Sequence, residues 1–375
     1  MKIKISDIFY VKTGSRIREE DVYSHKGNIP CVTAQTSNDG IAWYADEEWL
    51  KSFTKNGESV LIDEECITWS KDGVNAGTLF YKNYKFFPID VCGVLIPKER
   101  NQINLKWFLY SMQNIIKENT TSSSSQPKVY NEQMSNIEID IPTNNDGTFD
   151  IDMQNKFVEE YEKLNKYVKL INEKIMKLET IINSEIIIEK YITKSIEEIA
   201  ILNKGSNKIS EENIYKNYDS KGIPVYSSAT FNEGLMGRVS KEYYESFDKQ
   251  GKKGELTWTT NGYAGVVFYR ETDYLYSEKC GRIILRKEFK EKINPKFLKI
   301  YLNQITYKYK TSESNNGKLD IIHMLNVPVK LPIDKDGNID LGIQDSIVKK
   351  YQDLDDLKNR LVTILKKCNS IINDD

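Results

Sequence analysis

The chain has 375 residues, 39% of them hydrophobic and 29% charged, which suffices for packed cores and argues against wholesale disorder. A net charge of −2 excludes a simple polycation that coats nucleic acid. Mean hydropathy is −0.55, and no stretch approaches the roughly 18 apolar residues of a membrane-spanning helix.

The opening segment MKIKISDIFYVKTG lacks the long apolar core of a signal peptide, so the expected location is the cytoplasm. The cysteines (Cys31, Cys66, Cys92, Cys280, Cys368) are scattered, odd in number and form no Cys-x-x-Cys pair. That argues against a zinc ribbon or a disulfide scaffold and for a reducing compartment.

Read in order, the chain is written twice. Residues 1–150 hold short strand-like runs (SVLI, TLFYK) between turn signals, then an amphipathic stretch, NLKWFLYSMQNII. Residues 151–190 form a first long helix. Residues 191–340 repeat the module with GVVFYR, GRIILR and NPKFLKIYLNQI, and residues 341–375 form a second long helix. The repeat is clearest where IPTNNDGTFDIDMQNKFVEEYEKL (141–164) aligns without gaps to LPIDKDGNIDLGIQDSIVKKYQDL (331–354). Weaker echoes keep the same order upstream: Ile5, Ile8, Gly14 and Ser15 match Ile196, Ile199, Gly205 and Ser206. Asn38 and Gly40 match Asn232 and Gly234, Thr68-Trp69 matches Thr257-Trp258, and Cys92-Gly93 matches Cys280-Gly281. An ordered series of this kind is not chance. The expected fold class is α+β: two pseudo-repeated α/β domains separated by two long helices that form an antiparallel coiled coil.

The helices carry the sharpest periodicity. Apolar residues at Phe157, Tyr161, Leu164, Val168, Ile171, Ile175, Leu178 and Ile182 advance in alternating steps of four and three, a heptad seam on one helix face. The second seam is Ile347, Tyr351, Leu354, Leu361, Leu365, Cys368 and Ile372, with Lys358 at its one non-apolar position. About 30 residues at 1.5 Å each span roughly 45 Å, so neither helix can bury its seam alone. The economical partner is the other helix, in an antiparallel pair. The competitors are packing of each helix on its own module and self-association between chains.

Chemistry is sparse. There are two histidines, His25 and His323, no Gly-x-x-x-x-Gly-Lys-(Ser/Thr) loop, no Asn-Pro-Pro-aromatic segment and no metal-ligand spacing. Neither catalytic nor metal-binding residues are expected. Glu288 with Asp273 upstream imitates a nuclease carboxylate set only weakly, and the first module has no copy of it.

The duplicated tryptophan segments are more informative. ITWSKDGVNAGTLFYK (67–82) and LTWTTNGYAGVVFYR (256–270) read as strand, glycine-punctuated loop, strand. The frame is shared and the tips differ: Ser70, Lys71, Asp72 and Asn75 against Thr259, Thr260, Asn261 and Tyr263. Such side chains can bond base edges, and two readers of different targets would need this variation. The plainer reading is a hairpin with its Trp in the core. A second pair of loops, NTTSSSSQPKVY (119–130) and TSESNNGKLDII (311–322), offers Ser124, Lys128 and Lys318 as phosphate contacts, or is simply solvated. Acidic residues outnumber basic ones in 1–150, and the reverse holds in 191–340, where Arg282 is a further candidate DNA contact. Affinity for DNA is therefore expected to depend on a partner.

This order of module, helix, module, helix resembles the specificity (S) subunit of type I restriction-modification systems. The likeness rests on ISDIFYVKTGS and IEEIAILNKGS, on the two tryptophan segments, and on helix starts at Gln154 and Gln344. The resemblance implies that each module is a target-recognition domain reading one half of a bipartite, asymmetric double-stranded DNA target. It implies helices that set the spacing and dock two methyltransferase (M) subunits, with restriction/translocase (R) subunits joining for cleavage. S-adenosylmethionine would sit on the M subunits, leaving this chain without a cofactor or an enzymatic step. The acidic first module departs from what DNA binding favours. Two other readings stay open: the recognition portion of a fused methyltransferase-nuclease, and a protein-binding coiled-coil scaffold.

Overall fold

The computed structural model describes residues 1–121, 126–312 and 317–374. Its compact units are Met1–Leu170 together with the chain's end from Lys367, and Ile171–Lys366. Each holds one module.

In module one, β1 (Phe9–Thr13), β2 (Cys66–Ser70), β3 (Leu79–Lys82) and β4 (Cys92–Pro97) form an antiparallel sheet of order β1-β4-β2-β3. In module two, β5 (Ala200–Lys204), β6 (Leu256–Thr259), β7 (Val267–Tyr269) and β8 (Cys280–Leu285) repeat it as β5-β8-β6-β7. Every residue of β2 and β4 is buried, because both faces of the sheet are covered. Side chains alternate between those faces: Ile67, Trp69 and Leu95 join one cluster, Cys66, Cys92, Val94 and Ile96 another. The first face is covered by α1 (Leu105–Glu118), through Leu105, Phe108, Met112 and Ile116. A smaller sheet with Lys26–Val32 at its centre supplies the second lobe. Module two repeats this arrangement, with Tyr218–Tyr226 central to the smaller sheet. Each module is closed by a ribbon of its first and last strands, Lys2–Lys4 with Glu138–Asp140 and Tyr191–Ser195 with Pro328–Pro332.

The long helices are α2 (Ile151–Asn183) and α4 (Leu341–Asp374); α3 (Pro295–Ile305) is the module-two counterpart of α1. α2 ends at Asn183 rather than at the expected 190, and Ile186 and Ile188 instead pack on the module-two core. The boundary between the compact units also falls within the long helices, not at their starts.

A buried glutamine fastens each helix to its module. Gln154 Oε1 accepts the Asn104 N–H at 2.8 Å, and Asn104 Oδ1 in turn caps α1 by accepting from the N–H groups of Lys106 and Trp107. Gln344, Asn294, Lys296 and Phe297 reproduce the arrangement at α3. An amide accepts here without carrying a charge into the core; the Gln344 amide also donates to the Lys292 carbonyl at 2.9 Å, whereas the buried Gln154 Nε2 has no partner among the described residues.

The seam is used in two ways. Its first turns pack on the helix's own module: Phe157 and Val158 join the module-one core, Tyr161 stacks on Tyr110 at 4.3 Å, and Ile347 and Val348 join the module-two core. The expectation that Phe157, Tyr161 and Ile347 belong to a helix–helix seam is corrected to that extent. Further along, Leu164, Val168, Ile171, Ile175, Leu354, Leu361 and Leu365 are half-buried between exposed neighbours, and Leu178 is buried. Within the second unit the end of α2 meets α4 in antiparallel order. The Tyr351 hydroxyl accepts from Gln304 Nε2 at 2.8 Å and faces the Ser184 carbonyl, while Lys358 pairs with Glu179 at 3.6 Å.

Candidate nucleic-acid interface

Trp69 lies flat across the sheet opposite Gly93 of β4, and Trp258 lies opposite Gly281 of β8. A Cβ on Gly93 would come 2.2 Å from the Trp69 ring, and one on Gly281 would come 2.0 Å from that of Trp258. Glycine is required at both places for that reason. Both rings are fully buried, so the tryptophans are core residues. They also do a second thing. The indole N–H of Trp69 donates to the Val129 carbonyl at 3.1 Å, and that of Trp258 to the Leu319 carbonyl at 2.8 Å. Backbone bonds from Val129 to Lys71 and from Leu319 to Thr260 run alongside. Two loops far apart in sequence are thus tied together in each module: the hairpin after the Trp strand and the polar segment before the last short helix.

The two hairpins close with the same kind of bond, although the second loop is one residue shorter. The Gly77 N–H donates to the Ser70 carbonyl and the Gly265 N–H to the Thr259 carbonyl, both at 2.8 Å. Gly73, Gly77, Gly262 and Gly265 all take positive φ, a conformation that favours glycine. What differs is the tip, where Val74 is 86% exposed in one module and Tyr263 is 66% exposed in the other.

The candidate side chains divide. Ser70 is buried, and its hydroxyl donates to the Ala34 carbonyl. Thr259 is buried and bonds the Tyr263 carbonyl, shaping the loop from inside. Thr260 donates to the Lys279 carbonyl. Lys71 is half-buried and donates to Thr13 Oγ1 at 2.7 Å and to the Asp90 carbonyl at 3.1 Å; burial lowers its pKa. Asp72 and Lys128 form an ion pair at 3.4 Å that bridges the two loops. Lys318 is exposed, and its backbone pairs with Thr311 as that of Lys128 pairs with Thr121. Asn75 and Asn261 are half-buried at the loop rims, and their amides enter no hydrogen bond among the described residues. Ser124 lies outside the described residues.

Arg282 requires a correction. It is only 8% exposed and clamped by Glu255, with Nε on Oε2 and Nη2 on Oε1, both at 2.7 Å. Burial works against its charge, but the paired carboxylate outweighs burial and raises its pKa. Arg282 is a strut within the sheet and is not presented to a ligand.

Another buried cation escaped sequence reasoning. Lys82, fully buried, pairs with Asp39 at 2.6 Å. Its counterpart Arg270, 1% exposed, donates to the Glu233 carbonyl at 3.1 Å and to Thr257 Oγ1 at 2.9 Å. Burial depresses both pKa values. Each cation holds a left-handed turn, Asn38-Asp39-Gly40 or Asn232-Glu233-Gly234, against the main sheet. The repeated Asn-acid-Gly triplets and the repeated aromatic-Lys/Arg strand ends were the available signal, though only the fold joins them.

Asp273 is engaged by Lys252 and by the Tyr244 hydroxyl, and no bond links it to Glu288. Among the described residues no group of three or more His, Cys, Asp or Glu could hold a metal ion, and no helix is long and apolar enough to cross a membrane.

The chain thus holds paired α/β modules with duplicated frames and unlike tips, each continued by a long helix. Comparison with known proteins shows the family. The family model for the type I restriction modification DNA specificity domain matches residues 1–180 and again 188–368, so the chain belongs to that family. S.MpnORF507P of Mycoplasma pneumoniae, named for a type I specificity subunit, is 31% identical over 175 residues, 47% of this chain and 43% of that protein. The type I restriction enzyme MpnII specificity subunit of the same organism is 37% identical over 109 residues, 29% of this chain and 30% of that protein. The alignments therefore span less than half of these relatives' lengths. Among solved structures, the S subunit from M. genitalium has a TM-score of 0.52 at 15% identity, covering 100% of this chain and 94% of that one. The HsdS subunit from Thermoanaerobacter tengcongensis has 0.53 at 13%, covering 100% and 95%. At such identities the likeness is one of fold.

Proposed function

We propose that this chain is the DNA-specificity subunit of a cytoplasmic type I restriction-modification complex and performs no chemistry of its own. Each module reads one half of an asymmetric, bipartite double-stranded target. The long helices set the separation and dock two methyltransferase subunits, which carry S-adenosylmethionine and transfer its methyl group to adenine; restriction/translocase subunits join for cleavage. The observation that carries this reading is the pair of tryptophan hairpins: alike in their closing bonds, glycine turns and indole ties, different at the tip. A rigid scaffold with variable loops is how recognition is usually built. The reading residues are then those at the rims: Asn75 and the Asp72–Lys128 ion pair in module one, and Asn261, Tyr263 and Lys318 in module two. Ser70, Thr259, Thr260 and Lys71 shape the loops. A solved structure described for complex assembly and conformational transition of the type I R-M system has a TM-score of 0.61 at 12% identity, a likeness of fold.

The test is a loop exchange. Residues 67–82 are replaced by the equivalent hairpin of another family member, and the chain is purified with its methyltransferase subunits. Mapping of methylated adenines should then show one half-site changed and the other kept. Changes in both halves would refute the division of labour.

A further inference from the structure

Module two contains a basic cleft of about 720 Å³ lined by Lys204, Lys208 and Lys249 with Ser206 and Asn207. All three lysines are exposed, and none is ion-paired among the described residues. Two carboxylates, Asp248 and Glu278, also line it. The cleft therefore keeps a surplus of one positive charge, which matches a single phosphodiester.

Its position is fixed by the turn Ser277-Glu278-Lys279. On one side, the Glu278 N–H donates to the Ser206 carbonyl at 3.1 Å, on the cleft floor. On the other, the Lys279 carbonyl accepts from the N–H of Thr260 at 3.1 Å and from its hydroxyl at 2.9 Å, at the root of the recognition hairpin. Cleft and hairpin are adjacent parts of one surface.

Module one carries different side chains at the matching positions. Thr13 stands where Lys204 does, at the end of the edge strand, and Lys55 where Lys249 does, just after the short helix. Lys55 Nζ donates to the Gly14 carbonyl, Lys12 pairs with Glu58 at 2.8 Å, and Thr13 Oγ1 accepts from Lys71. Lys55, the counterpart of Lys249, is thus committed internally, whereas Arg16, which precedes the buried Ile17 as Lys208 precedes the buried Ile209, is exposed without an ion pair among the described residues.

We infer that the Lys204–Lys208–Lys249 cleft is a backbone-phosphate site that anchors the DNA beside the module-two hairpin. This inference rests on the proposed DNA-reading function. A flexible ammonium is a point charge suited to phosphate and carries no base information. The cleft should therefore contribute affinity and salt dependence without contributing specificity.

The experiment uses the chain assembled with its methyltransferase subunits and measures Kd over a salt series for cognate duplex and for a scrambled duplex. Neutralising one phosphate contact lowers the slope of log Kd against log salt by about 0.9. The triple variant Lys204→Met, Lys208→Met, Lys249→Met should show that drop, with the ratio of cognate to scrambled affinity kept within twofold. Lys55→Met should leave the slope unchanged. An unaltered slope in the triple variant, a lost preference for cognate DNA, or an equal drop in Lys55→Met would each overturn the inference. Failure of the unmodified complex to prefer cognate DNA would instead overturn the proposed function.

Discussion

Gly281 shows how far one hydrogen atom can decide a module. Its partner ring, Trp258, is fully buried and tethered at the indole nitrogen, so it cannot retreat from a Cβ that would arrive 2.0 Å away. Overpacking of this kind usually costs 1–3 kcal/mol, and a pinned ring places Gly281→Ala at the upper end, roughly 3 kcal/mol. Urea unfolding should show it. Loss of the Trp–Leu319 tie should also free the second loop, read as faster amide exchange around Lys318. Much of this was legible in the sequence: Thr-Trp and Cys-Gly recur in both halves. That the two dipeptides face each other was not, since strand register is a long-range pairing.

At the scale of elements, the helices tell a similar story with a different exception. Lys358 interrupts the α4 seam, and the structure supplies the reason: Glu179 of α2 lies 3.6 Å away. With side chains 29% and 50% exposed, the pair is worth at most about 1 kcal/mol. A polar residue at such a position more often selects alignment than adds stability. Lys358→Leu should therefore raise the thermal midpoint of the chain, because a leucine completes the apolar seam; a midpoint several degrees lower would show the pair to be a main support. The period of the seam was readable residue by residue. Its division of labour was not. Phe157, Tyr161 and Ile347 look like every other seam residue, yet they are turned onto the modules, because the helices grow directly from them and are clamped there by Gln154 and Gln344.

For the whole molecule, the proposed spacing role makes a quantitative prediction. Inserting one heptad into α2 and one into α4 lengthens the paired stretch by about 10 Å at 1.5 Å per residue. DNA rises about 3.4 Å per base pair, so the preferred gap between half-sites should grow by about three base pairs. Methylation mapping of the variant complex would measure it, and an unchanged gap would exclude the helices as the ruler.

What the amino-acid order settled by itself is whatever repeats locally or at fixed period: the doubled chain, the heptad seams, the hairpin frames with their glycines and the lack of a metal-ligand spacing. These signals survive in one dimension because each residue's neighbours in sequence are also its neighbours in structure. The tertiary structure alone decided which cations are free. Arg282, expected as a DNA contact, and Lys82, which carried no expectation, are buried against Glu255 and Asp39, whereas Lys249, some forty residues on in the chain, meets Lys204 and Lys208 around one cleft. A charge's role depends on the distance to its counter-charge and on the water around it. Both are properties of the folded chain, not of the letters beside it.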